Sequence, residues 1–213
     1  MRPRVVRLAT LVLVTCTLAR PVRAEPEEFG YCTTCHGAQG NGNPAIGAPR
    51  IAGLGAWYVS RQLESFRAGR RGAHADDAKG REMRFVSQAL PDTAAVQRAA
   101  AYAAALAPAA VPRTLSGGDA ARGAAAYAPC AACHGARGEG DAALEAPRLA
   151  GQADWYLAAQ LEAYRAGRRG THPDDAPGLR MRPMAALLPE AALADVLAHL
   201  ASLADAETKE TPR

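Results

Sequence analysis

Two five-residue stretches of this chain follow one pattern, Cys32-Thr33-Thr34-Cys35-His36 and Cys130-Ala131-Ala132-Cys133-His134. In each stretch two residues separate the cysteines, and a histidine follows the second cysteine directly. Apart from Cys16, in the N-terminal segment, these are all the cysteines of the chain, so residues 25–213 contain no further thiol. The pattern predicts two equivalent sites, each made of two thiols and one imidazole.

The sequence around the two stretches is also repeated, at one fixed offset and without a gap from Phe29 to Leu106. Self-similarity over this length indicates a gene duplication, and hence two structural units of the same fold. The repeated residues, each followed by its copy, include Pro49 and Pro147, Arg50 and Arg148, Trp57 and Trp155, Tyr58 and Tyr156, Gln62 and Gln160, Arg71 and Arg169, and Met83 and Met181.

The spacing suits covalent attachment of a c-type haem, because each thiol can add to one vinyl group while the histidine binds the iron. A zinc site needs third and fourth ligands nearby, and a redox dithiol is typical of an α/β fold; this chain provides neither. Aromatic residues make up 5% of the chain, so a large apolar prosthetic group would complete each small core. We predict two haem c groups, attached at Cys32, Cys35, Cys130 and Cys133, with His36 and His134 as iron ligands.

Met83 is the only methionine of the first repeat, and Met181 is its copy. Methionine on the other side of the iron from histidine fills the sixth position and raises the potential, which favours electron transfer over oxygen or peroxide chemistry. Core filling is the alternative for both methionines, but their equal offset from the two histidines favours ligation. Met184 is a rival in the second repeat, yet its counterpart is Val86. We expect Met83 and Met181 to be axial ligands, in a loop before a helix.

Two further histidines, His74 and His172, recur and could be ligands instead. They adjoin Asp76-Asp77 and Asp174-Asp175 in a polar stretch, so we expect both in surface loops. His199 has no copy and is expected to be structural.

A ligating histidine normally donates its second ring N–H to a carbonyl or a carboxylate. Pro49 and Pro147 follow the two motifs at the same distance, and we expect the accepting carbonyl near each proline. Arg50 and Arg148 are candidates for pairing with haem propionates, with a solvated face as the alternative.

The repeated aromatic pairs, Trp57-Tyr58 and Trp155-Tyr156, could donate hydrogen bonds to propionates, although packing in the core explains them equally well. The repeated arginine pairs, Arg70-Arg71 and Arg168-Arg169, are expected to form a basic surface.

Residues 1–24 have the pattern of a secretory signal peptide. Three arginines lie in Met1–Arg7, an apolar run covers Leu8–Ala19, and Val22 and Ala24 form a small-x-small cleavage signal. An uncleaved anchor is the alternative, but the apolar run is short for a membrane span. We expect export to the periplasm.

Removal of this segment changes the charge of the protein. The whole chain has a net charge of +4, and the segment holds five arginines and no acid, so the mature chain is at 4 − 5 = −1. Basic and acidic residues are interleaved elsewhere, which argues against nucleic-acid binding. No second apolar stretch is long enough to span a membrane, so we expect redox proteins as partners.

The domain boundaries follow from the repeat and from the breaks between helical segments. We predict one domain at 25–107, a proline- and glycine-containing linker at 108–118, a second domain at 119–205 and a frayed polar tail at 206–213. Helices are expected over Ala56–Ala68, Asp92–Leu106, Ala120–Ala128, Asp154–Ala166 and Pro189–Leu203. No stretch alternates as a strand does, so the predicted fold class is all-α, with two tandem domains that each surround a haem.

The chain resembles the dihaem cytochrome c4 family. The resemblance rests on the two haem motifs, each followed by Pro-Arg-x-Ala-Gly, Gln-Leu-Glu-x-aromatic-Arg-x-Gly and Met-Arg. It implies two class I cytochrome c folds related by a pseudo-two-fold axis, with His36 and Met83 on one iron and His134 and Met181 on the other. It also implies an electron shuttle between a quinol-oxidising complex and a terminal oxidase or reductase.

One feature departs from this pattern, since only residues 25–31 precede the first haem motif in the mature chain. The helix before that motif is therefore expected to be short. We expect an electron carrier and not an enzyme, because haem does the redox chemistry and the protein sets its potential and access. The alternatives are a cytochrome subunit of an oxidase or dehydrogenase complex, or a dihaem enzyme such as a peroxidase or a thiosulfate-oxidising cytochrome.

Overall fold

The computed structural model describes residues 25–210, with side chains described to residue 204. The predicted signal peptide and residues 211–213 lie outside the described residues. The helices are α1 Gly30–His36, α2 Ala56–Arg67, α3 Ala78–Ser87, α4 Thr93–Ala105, α5 Ala120–His134, α6 Asp154–Arg165, α7 Ala176–Leu187 and α8 Leu193–Glu210. Three short 3-10 helical turns occupy Glu27–Phe29, Pro44–Ile46 and Glu190–Ala192. The described residues contain no strand, only two isolated bridges, and the all-α prediction is confirmed.

Helices α2 and α6 occupy equivalent positions in the two repeats, as the sequence predicted. Each is followed by a glycine with positive φ, 72° at Gly69 and 69° at Gly167. A glycine adopts this left-handed conformation without the steric penalty of a Cβ atom, so it ends the helix.

Aspartates begin the next helices. The Asp92 carboxylate accepts the N–H of Ala95 at 2.7 Å in α4, and the Asp119 carboxylate accepts the N–H of Arg122 at 2.9 Å in α5. Such a cap satisfies a helical N–H group that has no partner within the helix. Helix α5 continues beyond its predicted end and includes the second haem motif.

Helix α8 also continues beyond its predicted end, and its last turn enters the segment predicted as a tail. No glycine or proline interrupts the sequence between Leu193 and Glu210, and alanine, glutamate and lysine favour the helical conformation.

Each repeat contains a small apolar cluster. In the first repeat Leu63, Leu90 and Val96 form it, and Met83 packs against them. In the second repeat the cluster consists of Tyr127, Leu188, Val196 and Leu200. Clusters of this size leave each helical unit dependent on a further apolar group at its centre, as the composition predicted.

The helix before the first haem motif is short, as expected. Within the described residues, helix α1 is preceded by the turn Glu27–Phe29 alone, whereas α5 extends from Ala120. Phe29 anchors this segment to α4, because it is 1% exposed and its ring packs edge-on against Tyr102 at a centroid distance of 4.7 Å.

The segment between the repeats is held against the second repeat by Asp154. This carboxylate is 4% exposed and accepts the N–H groups of Thr114 and Leu115 at 2.9 and 2.8 Å and the Thr114 hydroxyl at 2.8 Å. Burial raises the pKa of Asp154, but the hydrogen bonds from Leu115, Thr114 and Trp155 outweigh it and hold the pKa below its ordinary value. The linker is therefore a docked part of the structure.

We expect Asp154→Ala to lower the free energy of unfolding by about 2–3 kcal/mol, because it removes the buried, charged acceptor of three hydrogen bonds from the linker. Urea denaturation measures this change, and trypsin should cleave after Arg113 in the released linker. The loss should be present at neutral pH and disappear as the pH falls through the lowered pKa of Asp154, where the wild-type carboxylate also becomes protonated. Asp174→Ala, at a side chain 76% exposed, is the control and should change stability by less than about 0.5 kcal/mol. Equal effects of the two changes would contradict the docking role.

Among the described residues, no single helix is long and apolar enough to cross a membrane. One bent pair of segments, Ala176–Leu187 with Glu190–Ala204, meets the requirements of length and composition together.

Candidate haem sites

A cavity of about 890 Å³ runs through both repeats. All eight residues predicted to attach or ligate the haems line it, namely Cys32, Cys35, His36, Met83, Cys130, Cys133, His134 and Met181. The fold therefore brings the motif at the end of α1 together with α3, and the motif at the end of α5 together with α7.

The two motif histidines are buried and oriented in the same way. The Nδ1 atom of His36 lies 2.7 Å from the Pro49 carbonyl oxygen, and that of His134 lies 2.8 Å from the Pro147 carbonyl oxygen. A carbonyl only accepts hydrogen bonds, so Nδ1 carries the proton in both rings. Each Nε2 atom then keeps a free lone pair, as an iron ligand requires. The predicted role of the two proline carbonyls is confirmed.

Burial also sets the protonation of these side chains. It lowers the pKa of His36 and of His134, against the opposing effect of the proline hydrogen bonds, so the imidazoles stay neutral to lower pH. Burial raises the pKa of Cys32 to about 11 and also raises that of Cys130. A reactive dithiol or a zinc ligand needs a stabilised thiolate, so this environment favours thioether attachment over both alternatives.

Met83 and Met181 lie within helices α3 and α7, so the prediction of a loop before a helix was wrong. An aspartate caps the N-terminus of each of these helices. Asp77 and Asp175 each accept the backbone N–H three residues later, at 2.9 and 3.1 Å. Both helices thus begin five residues before the methionine, and both methionine side chains line the cavity.

The other candidate iron ligands were His74, His172 and Met184. The ring of His74 accepts the N–H of Asp76 at 3.1 Å, and that of His172 accepts the N–H of Asp174 at 3.1 Å, in exposed or half-exposed turns. The expectation of surface loops for these histidines is confirmed. Met184 lines the cavity but is 37% exposed.

Arg71 and Arg169 are not part of a basic surface, contrary to the sequence-based expectation. They are 9% and 8% exposed and lie between the two repeats. The reason is that each guanidinium stacks on an aromatic ring of its own repeat, at 4.6 Å from the centroid of Phe66 for Arg71 and 4.7 Å from that of Tyr164 for Arg169. The stacked arginines then reach across to the partner repeat.

The contacts across the repeats are reciprocal. Arg71 donates to Gln62 of its own repeat at 2.7 Å and to Gln160 of the other at 2.8 Å. Arg169 donates to Gln160 at 2.8 Å and to Gln62 at 3.1 Å. Since Gln62 and Gln160 are copies of one another, as are the arginines, the interface is isologous and the repeats are related by a pseudo-two-fold axis.

Tyrosine hydroxyls complete this arginine–glutamine cluster. Arg71 donates to the Tyr156 hydroxyl at 3.1 Å. Burial raises the pKa of Tyr58, but the neighbouring Arg169, Arg71 and Arg61 outweigh it and lower the pKa. Among the residues whose side chains are described, neither Arg71 nor Arg169 has a carboxylate partner, although both line the cavity. Two buried cations facing an apolar cavity suit the carboxylates of haem propionates.

A sequence signal for this cluster existed. An isologous interface uses the same surface of both units, so its residues must recur in both copies of a repeat. Arg71, Gln62 and Tyr58 all recur. Of the residues predicted to bind propionates, Tyr58, Tyr156, Arg50 and Arg148 line the cavity, as does Trp155, whereas Trp57 lines a smaller pocket between the repeats.

Residues 29–104 and 120–204 both match the family model of cytochrome c. The thiosulfate dehydrogenase electron acceptor of Stutzerimonas stutzeri is 39% identical over 166 residues, which cover 72% of this chain and 71% of that protein. Cytochrome c4 of Azotobacter vinelandii is 33% identical over 184 residues, which cover 81% of this chain and 84% of that protein.

Solved structures similar to this chain include a cytochrome c4 and a thiosulfate dehydrogenase. Cytochrome c4 of Acidithiobacillus ferrooxidans has a TM-score of 0.65 at 30% identity, over 81% of this chain and 98% of that chain. Thiosulfate dehydrogenase from Marichromatium purpuratum has a TM-score of 0.64 at 35% identity, over 80% of this chain but 36% of that longer chain.

The family matches cover both repeats, so the chain belongs to the cytochrome c family, as a protein of two tandem cytochrome c domains. Its predicted resemblance to the dihaem cytochrome c4 proteins is confirmed, and the chain is a dihaem electron-transfer protein that holds two haem c groups.

Proposed function

We propose that the protein carries single electrons in the periplasm, with Cys32 and Cys35 attaching one haem and Cys130 and Cys133 the other. His36 and Met83 ligate the first iron, and His134 and Met181 ligate the second. The observation that carries this proposal is the matched pair of imidazoles, each with its Nδ1 proton on a proline carbonyl and its Nε2 free, in a cavity also lined by a methionine.

The bound haems supply the one-electron chemistry, and the chain controls their potential and access. The apolar cavity walls exclude water, and a methionine ligand together with low solvent exposure favours a high potential. The proline carbonyls keep both imidazoles in one orientation and tautomer, so the coordination need not reorganise when the iron changes its charge.

The arrangement of the two sites supports electron exchange between them. One cavity serves both haems, and the cluster of Arg71, Arg169, Gln62 and Gln160 lies between the repeats. In this position Arg71 and Arg169 would hold haem propionates and neutralise their charge, so that carboxylates of both groups could lie at the shared interface with less mutual repulsion.

The similarity to the thiosulfate dehydrogenase electron acceptors of Stutzerimonas stutzeri and Thiomonas intermedia supports a thiosulfate dehydrogenase as the electron donor. The similarity to cytochrome c4 supports the second candidate, a quinol-oxidising complex, with a terminal oxidase or reductase as the acceptor. We favour a free carrier over an enzyme, because a methionine lines each haem site and would occupy the position that a peroxide needs.

Optical spectra and reduction kinetics of the purified holoprotein test this function. We expect two c-type haems per chain, a near-infrared methionine–iron charge-transfer band in the oxidised state, and rapid reduction by thiosulfate only when a thiosulfate dehydrogenase is added. Reduction by a quinol-oxidising complex alone would favour the second donor. Reduction by thiosulfate without added enzyme, or a high-spin haem that binds carbon monoxide readily, would contradict the carrier function and indicate a catalytic iron.

A further inference from the structure

A chain of ion pairs joins the two repeats at the second haem site. Arg61, on α2 of the first repeat, contacts Glu145 of the second repeat, with 3.1 Å between Nη1 and Oε1. Arg61 also donates to the backbone carbonyl of Glu145 at 3.2 Å. The other carboxylate oxygen of Glu145 lies 2.8 Å from Nη2 of Arg180 on α7. One carboxylate thus connects α2 of one repeat to α7 of the other.

The first haem site lacks ion pairs equivalent to those of Arg61, Glu145 and Arg180. The repeat places Ala159 at the position of Arg61, Gly47 at that of Glu145 and Glu82 at that of Arg180. Glu82 pairs with Lys79 of its own helix at 2.9 Å. Within the described side chains, no ion pair therefore connects α3 to the loop around Gly47 or to the second repeat.

The backbone at Glu145 indicates that its side chain has a specific purpose. Glu145 has φ 56°, and within the described residues it is the only residue other than glycine with a positive φ. Its counterpart Gly47 has φ 69° and meets the same conformational demand without strain. A glutamate in this conformation costs energy that a glycine would not, and such strained backbone positions are typical of functional residues.

The position of the ion pairs suggests that role. The loop of Glu145 includes Pro147, whose carbonyl holds His134. Arg180 directly precedes Met181 on α7. The Glu145–Arg180 ion pair therefore connects the loop that orients His134 to the helix that carries Met181. Arg61 connects both to the first repeat.

We propose that Glu145 is a positioning residue that, together with Arg61 and Arg180, holds Met181 on the second iron and makes this ligation depend on the docking of the first repeat. The inference rests on the proposed ligands His134 and Met181. It makes the two haem sites unequal, since among the described side chains no ion pair ties α3, which carries Met83, to the second repeat. Met181 is then harder to displace than Met83.

The partial exposure of the three side chains sets the size of the effect. Arg61, Glu145 and Arg180 are 22%, 43% and 58% exposed, and exposed ion pairs are individually weak. These ion pairs are strengthened because both arginines share the Glu145 carboxylate and because Arg61 also donates to the Glu145 backbone carbonyl. We expect its loss to ease displacement of Met181 by about three- to fivefold.

Cyanide titration of the oxidised holoprotein, read from the methionine–iron band, tests this inference. In a Met83→His background the band reports the second iron alone, and in a Met181→His background it reports the first. Glu145→Gln, Glu145→Gly and Arg61→Ala should each tighten cyanide binding at the second iron about three- to fivefold and leave the first unchanged. The glycine and alanine variants introduce the residues that the other repeat already has, so they are compatible with the fold.

Lys79→Ala is the matched control, because it breaks the Lys79–Glu82 pair of the first repeat. It should leave cyanide binding at the first iron within about twofold of its parent. The inference is overturned if Glu145→Gln leaves the second iron unchanged, or if it alters both irons equally. Absence of the band in the Met83→His parent would instead show that Met181 is no ligand, and so would refute the proposed ligand set before any Glu145 variant is made.

Discussion

Replacement of Met83 by histidine is expected to lower the reduction potential of the first haem by about 0.2 V, a fraction of the roughly 0.8 V range that axial ligands span. A second imidazole donates more electron density than a thioether and stabilises the oxidised iron. Spectroelectrochemical titration should show one haem at its original potential and one shifted downward, with about half of the methionine–iron band lost.

Two further variants make this result specific. Met181→His should shift the other haem by a similar amount, and Met184→Leu should leave both potentials unchanged, because its counterpart Val86 cannot be a ligand. A loss of the band in Met184→Leu would mean that the second iron uses the neighbouring methionine. Unchanged potentials in Met83→His would refute the proposed ligation of the first iron.

Joint replacement of Arg71 and Arg169 by leucine is expected to lower the free energy of unfolding of the holoprotein by about 3–5 kcal/mol. Both guanidiniums are buried at the interface between the repeats. Their loss would remove the counter-charge that we assign to the haem propionates, and it leaves Gln62 and Gln160 without these donors. Both potentials should also fall, because uncompensated negative charge stabilises the oxidised iron.

Guanidinium denaturation followed by haem absorbance measures the stability change, and redox titration measures the potentials. Arg168→Leu is the control, since Arg168 is 28% exposed and lies 3.7 Å from Glu162, a surface pair whose loss should cost no more than about 1 kcal/mol. Stability within about 1 kcal/mol of wild type for the double leucine variant would contradict the assignment of Arg71 and Arg169 to propionates.

Several structural features could be predicted because they depend on local sequence. Helices α4 and α5 begin where the sequence predicted, after Asp92 and Asp119, since an N-cap needs only a carboxylate next to the first helical turn. The proline carbonyls were found at Pro49 and Pro147 because both copies keep the same short distance from the motif histidine. The ligand roles of Met83 and Met181 stay predictions, to be tested by the variants above.

Other expectations were wrong because a polar residue of one type is common in two different structural settings. Met83 and Met181 were expected in loops, yet they lie within α3 and α7, whose N-termini are capped by Asp77 and Asp175. Arg71 and Arg169 indicated a surface, yet they are buried, because a guanidinium can lie in an interface when it stacks on a ring and finds acceptors.

The sequence by itself determined the number of haems, the cysteines and histidines predicted to hold them, and the duplication, because each haem motif is contained in five consecutive residues and the repeat has no gap. Only the tertiary structure decided that Arg71 and Arg169 meet each other's glutamines and that Arg61 reaches Glu145. These contacts join residues far apart in the chain. They depend on how one repeat docks on the other, which no local spacing encodes.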